Sequence, residues 1–338
     1  MKNIQSSTVM EGTGKIIRNS VYLFLSNYHY FTISALFALP FSATILITQA
    51  LVPFSNLLPP IQLRLQALLF AAGLPPSSQF FSILSIKLSQ TITSSILVLP
   101  FAFSFLLFAK ASVIKALSQP KPSLPPKISS FTPILKPIFS TQICNSVLIL
   151  SVNATSISII AIAFNCLDAF NLISTPRSIS LFSAAAALLY SIFLSNAFII
   201  SNLALVLSGS ESKGGYLSIL KACVLIRGRN SKAILLALPL NMALAAIEAL
   251  FQYRLVEAFS STKFPNFSMT LEWIIIAYLY SIFIVLDTII SCMFYKSCEA
   301  AFFVEDQETR FCHYIDISQE DQEHISSYTR LKTLEAFS

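Results

Sequence analysis

The chain has 338 residues, 55% of them hydrophobic and only 11% charged, with a mean hydropathy of +0.71. Soluble domains carry about 25% charge, so the composition excludes a soluble globular enzyme or a nucleic-acid-binding module and points to an all-α polytopic membrane protein. The net charge of +6 conceals an asymmetry: from Lys296 onward acidic residues dominate, and all of the excess positive charge lies before that point.

In chain order, residues 1–29 read as a cytosolic segment. Its stretch GKIIRNSVYLFLSNYHYF (14–31) mixes apolar and basic residues, the pattern of an amphipathic helix lying in the headgroup plane. A membrane domain follows over 30–298, with spans expected near 30–52, 88–109, 143–165, 179–206, 233–253 and 273–295. Each is near or above the roughly 20 apolar residues that a bilayer core requires. IQLRLQALLFAA (61–72) is too short to cross and carries Arg64, so it reads as interfacial. The proline- and lysine-containing stretch 118–137 reads as an extended linker, with FTPILKPIFSTQ (131–142) as a weaker copy of the in-plane pattern. GGYLSILKACVLIRGRNSK (214–232) is the stronger second copy. Residues 299–338 form an acidic cytosolic tail.

Counting Lys and Arg by loop gives 17 on the side of the N-terminus and five on the other. The positive-inside rule then puts both termini in the cytosol. The reading is of an endomembrane protein, such as one of the endoplasmic reticulum. Lys110 and Lys87 both enter this count as loop cations. The sequon at Asn266 falls in a non-cytosolic loop and is a candidate glycosylation site.

Leu-Pro recurs inside three spans, at Pro40, Pro100 and Pro239. Proline removes a backbone donor. In a bilayer the freed groups turn to neighbouring helices or to Ser side chains, so these prolines are expected to kink their helices, with Ser42, Ser104 and Asn241 as nearby partners. The expected spans contain no glycine, so close helix approach must use Ala and Ser.

Two acids fall within spans, Glu248 and Asp287. Such residues cost about 2.5–3.5 kcal/mol at mid-span on the insertion scale and mark functional or packing sites. Asp287 has no charge within eight residues and is expected to face the bundle interior, toward Asn145, Asn153, Asn196 or Asn202. Glu248 sits at a different depth, with Arg254 nearby. Asn153 belongs to a third span rich in Ser, Thr and Asn, able to bond across helices or to line a polar path. Asp287, Glu248 and Asn153 are the candidate intramembrane polar site.

The residues Lys15 to Asn27, FALPF (37–41), YLSILKACVLIRGR (216–229) and LALPL (236–240) resemble those of an uncharacterised family of six-span plant membrane proteins. More distantly, the pattern is similar to the membrane domain found beside some bacterial glycerophosphodiester phosphodiesterases. The resemblance implies a six-helix fold. It carries no phosphodiesterase chemistry, because that activity belongs to a separate soluble barrel.

No histidine lies in a span, and neither a phosphate loop nor a metal-ligand motif is present. The expectation is a non-enzymatic protein without cofactor, whose partners are the lipid bilayer, anionic headgroups at its basic cytosolic loops, and a protein of unspecified kind. The alternative is a transporter or channel that uses Asp287 and Glu248.

Overall fold

A computed structural model describes residues 12–56, 58–71, 79–118, 132–170, 175–211, 213–261 and 267–335. Among them every regular element is helical: α1 (Thr13–Ser26), α2 (Tyr28–Leu51), α3 (Leu58–Ala71), α4 (Gln79–Phe101), α5 (Leu107–Ser118), α6 (Thr132–Ala169), α7 (Pro176–Glu211), α8 (Tyr216–Ile226), α9 (Asn230–Ser261) and α10 (Phe267–Glu335). Six stretches are long and apolar enough to cross a membrane: Tyr28–Leu51, Phe81–Ser118, Pro133–Leu167, Arg177–Glu211, Asn230–Leu255 and Phe267–Ala301. Five of the six run several residues beyond the limits that hydropathy alone suggests. The chain is an integral, multi-pass, all-α membrane protein.

The chain divides into two compact units, Thr13–Phe294 and one containing Tyr295–Ser338. The bundle described below lies within the first. In the second, the acidic tail is helical through Glu335. Asn266 and most of the 118–137 linker lie outside the described residues.

The bundle turns leucines and isoleucines outward, among them Leu150, Leu181 and Leu188. That is the expected solution when the solvent is lipid, because burying these side chains in protein gains little over leaving them in acyl chains. The interior mixes small and aromatic residues with aliphatic ones such as Leu46 and Ile289. One cluster joins α2, α4, α9 and α10 through Phe41, Leu46, Val98, Phe251, Ala277 and Tyr280. A second joins α2, α5 and α10 through Phe31, Ala35, Val113, Val285 and Ile289, with Leu23 and Phe24 of α1 against it. Hydrogen bonds fasten the first span to the second at both ends. Tyr30 Oη donates to the Ser112 carbonyl (3.2 Å) and Ser34 shares a bond with Ser112 (3.0 Å). Toward the other end, Ser94 donates to Thr48 (3.2 Å).

Two asparagines of the polar third span make packing contacts. Asn145 Nδ2 donates to the Ser201 carbonyl (2.9 Å) and Tyr190 Oη donates to Asn153 Oδ1 (3.0 Å), both joining α6 to α7. Within one turn of Asn145 lies the end where α6 also receives α8. Gly215, at φ 86°, donates its N–H to Thr141 Oγ1 (2.9 Å). The preceding Gly214 presses so closely on Pro137 that a Cβ there would strike the Pro137 carbonyl oxygen.

Pro40 and Pro239 lie inside the continuous helices α2 and α9. After Pro100 the helix widens into a π-type turn over Ala102–Leu106, a recognised site of helix bending. Other expectations are corrected. Ser42 and Ser104 do not take up the carbonyls that the prolines leave without a partner. They donate to Ala38 (3.2 Å) and Pro100 (2.7 Å), one turn before their own positions. Residues 131–142 are not a separate in-plane helix, because from Thr132 the chain is already α6, with Pro137 inside it. A glycine does enter a spanning helix: Gly209, in α7, where a Cβ would meet the Ile114 and Ile138 side chains at 2.9 and 3.0 Å.

The two stronger in-plane copies are separate helices. α1 is divided from its span at Asn27, and α8 at Arg227–Arg229, where Gly228 adopts φ 79°. Each buries a single face against the bundle: Ile16 and Ser20 in α1, and Ser218, Ile219, Ala222 and Ile226 in α8.

Candidate intramembrane polar site

Asp287 lies on α10 in an otherwise apolar stretch, IFIVLDTII. An unpaired carboxylate there would be costly in hydrocarbon, and the structure supplies it with a partner. Asn202, on α7, donates from Nδ2 to Asp287 Oδ2 at 3.1 Å. On its other side Asn202 Oδ1 accepts from Lys110 Nζ of α5 at 2.8 Å. Three spans thus converge on a line of ammonium, carboxamide and carboxylate. The amide is held in one orientation, since its oxygen must face the cation and its NH2 the anion. Each end of the line compensates the charge of the other, which is what makes a buried ion tolerable.

Of the four asparagines expected near Asp287, Asn202 is the one that reaches it. Asn145 and Asn153 are committed to the α6–α7 contact. Lys110 is the residue that sequence reading missed. It was counted with a cytosolic loop, yet it sits one helical turn inside α5, eight residues before that helix ends. The apolar continuation ASVIKALS after Lys110 was the available signal, because it carries two more turns of helix past the charge.

A cavity of about 40 Å³ reaches the line, with Asn202, Asp287 and Ser291 as its polar side and Leu236, Leu240 and Phe294 among its apolar walls. A smaller one, of about 10 Å³, touches Lys110, Asn202 and Ser291. About 10–15 Å³ suffices for one water, so the first can hold a few waters and the second at most one.

Glu248 and Asn153 do not join Asp287. Glu248 Oε1 accepts from Tyr280 Oη of α10 at 2.8 Å, a buried phenol. Arg254, the expected neighbour of Glu248, donates to Glu272 Oε1 at 2.6 Å, on the exposed surface. The three residues singled out from sequence therefore have three separate partners. Among the described residues no group of His, Cys, Asp and Glu side chains is placed to hold a metal ion.

Comparison with known proteins identifies the family. Residues 1–310 match the family described as Domain of unknown function (DUF8558), and the chain belongs to it. Neither a curated protein nor a solved structure matches the chain.

Proposed function

Starting from membership of that family, we propose that this integral membrane protein is a non-enzymatic organiser of the bilayer, acting through α1 and α8. The observation that carries the reading is the outward face of those two helices. α8 buries one side and turns Tyr216, Leu217, Leu220 and Val224 away from the protein. α1 likewise turns Tyr22 and Leu25 outward beside exposed Lys15 and Arg18. An apolar face outside the bundle, at the level where the chain leaves a span, is suited to insertion at the headgroup–acyl boundary. Basic neighbours favour the anionic leaflet. Chain alternation through six crossings brings α1, α8 and the linker before α6 to one membrane face. With the positive-inside rule, that face is cytosolic, as in an endoplasmic reticulum protein with both termini in the cytosol. The compensated Lys110–Asn202–Asp287 line fits such a scaffold, since it fastens three spans together.

Reconstitution into anionic liposomes tests this. The wild type narrows the vesicle size distribution by electron microscopy, and a variant with Leu217, Leu220 and Val224 changed to Ser does not. Wild-type vesicles indistinguishable from empty ones overturn the reading.

The cavity on Asp287 supports a second reading, as a transporter or channel with Asp287 on its path. Proton and cation flux in proteoliposomes that vanishes in Asp287→Asn, with folded protein retained, would select it over the scaffold.

A further inference from the structure

The second span carries another lysine, Lys87, near its opposite end. It too was counted as a loop cation, and it too lies inside a helix, two turns into α4. From Lys87 the sequence places polar side chains at 90, 91, 94 and 95, the three- and four-residue spacing of a single helix face. In lipid such a stripe would expose an ammonium, a carboxamide and hydroxyls to hydrocarbon. It faces a cavity of about 420 Å³ instead. The end of α2 adds Thr48, which accepts from Ser94 (3.2 Å), and Gln49, and α9 adds Gln252, leaving the cavity open on one side. This size falls within the roughly 300–1,000 Å³ typical of small-molecule sites.

The lining is chemically specific. Among the described residues it contains one cation and no carboxylate. Glu248, one turn before Gln252 on α9, turns to Tyr280 and stays out of the cavity. Three carboxamides, Gln49, Gln90 and Gln252, offer both donors and acceptors. Ile45, Val52 and Val98 supply apolar wall. The cavity lies where α2 ends in the turn Val52–Phe54, the headgroup level on the membrane face opposite α1 and α8.

We propose that this cavity binds a phosphodiester anion with an uncharged polyol group, the headgroup chemistry of phosphatidylglycerol or phosphatidylinositol. A phosphodiester brings one negative charge to the one lysine. A polyol satisfies the carboxamides and hydroxyls. An amine headgroup would bring a second cation to a site with no carboxylate to receive it. The apolar wall suits the glycerol and first acyl carbons of a lipid that enters from the bilayer. A soluble phosphate ester shares the same polar chemistry.

The test is native mass spectrometry of the full chain in detergent, with added phosphatidylglycerol, phosphatidylinositol or phosphatidylcholine. The wild type retains one anionic lipid at least about tenfold better than phosphatidylcholine, which has the same phosphodiester but adds a quaternary ammonium beside Lys87 and offers no hydroxyl to the carboxamides. Lys87→Met abolishes that preference, Lys87→Arg keeps it, and Lys136→Gln, an exposed change on α6 outside the cavity, leaves it intact. Ser95→Phe, which fills the cavity without touching the charge, also abolishes it. This guards against misfolding of the lysine variant, and gel filtration checks that each variant is monodisperse. Glycerol 3-phosphate is then added in competition. Displacement shows that the site reads the phosphate ester alone, and lack of displacement shows that it requires the lipid. Equal retention of anionic lipid by wild type, Lys87→Met and Ser95→Phe overturns the proposal, as does equal retention of phosphatidylcholine by the wild type.

Discussion

The two ends of the second span make opposite use of the same residue type. Lys110 and Lys87 are twenty-three residues apart, about 34 Å along a helix, roughly the thickness of the hydrocarbon core. At one end the ammonium reaches inward to Asn202 and, through it, to Asp287, leaving only about 40 Å³ of space beside the line. At the other, the lysine borders about 420 Å³ with no carboxylate among the described lining residues. One end closes by internal charge compensation, and the other stays open with its charge available. A lysine inside a span is therefore not one kind of feature, because its role depends on whether neighbouring helices bring it an anion.

Breaking the compensated end should have the largest effect. Lys110→Met and Asp287→Ala, taken singly, each leave a buried ion without its counter-charge and cost about 3–5 kcal/mol, read as loss of thermal stability in detergent micelles. The double variant recovers most of that loss. If the double change is as damaging as the two singles summed, the residues are not coupled and the contrast between the two ends collapses.

A smaller effect is expected at the seat of α8, which belongs to the compensated end. Gly214→Ala drives a methyl group into the Pro137 carbonyl and should cost about 1–3 kcal/mol, as overpacking does. Limited proteolysis should then cleave between Lys213 and Lys232, while the wild type resists. Gly209→Ala meets isoleucine side-chain methyls, Ile114 Cγ2 and Ile138 Cδ1, rather than backbone and is expected to be milder in the same assay.

Glu248 stands between the two extremes, a carboxylate whose hydrogen-bond donor among the described residues is the Tyr280 phenol. Tyr280→Phe removes the donor and keeps the ring, at about 1–2 kcal/mol. A loss as large as that of Asp287→Ala would mean that the phenol, and not the packing around it, is the main support of this carboxylate.

The smallest stability change is predicted for Lys87→Met, within about 0.5 kcal/mol, because no internal anion loses its partner. A thermal unfolding comparison with Lys110→Met thus sharpens the contrast most directly. Equal destabilisation by the two substitutions would refute it.

Much of the fold could be read from residue order. Long uncharged apolar runs have few alternatives to spanning helices, because a backbone in hydrocarbon must satisfy its own hydrogen bonds. The repeated basic–apolar stretches before the first and fifth spans are likewise local patterns, and both are separate helices. Span limits were less legible. Hydropathy falls off before the helix does, so 88–109 became Phe81–Ser118, and both lysines passed from loop to helix. The prolines were legible as residues inside helices, and α2 and α9 run through theirs, whereas the π-type turn that follows Pro100 had no signal of its own.

The sequence by itself determined that this is an all-helical membrane protein and that Asp287 must find a polar partner, since both follow from the cost of moving polar groups into hydrocarbon. Which partner it finds was decided only by the tertiary structure. Asn202 lies 85 residues before Asp287 and Lys110 another 92 before that, and no local pattern encodes the rotation and depth at which three helices meet. The same holds for Lys87 and Gln252, brought to one cavity from different spans. Transfer cost is a property of each residue, whereas compensation is a property of geometry between helices.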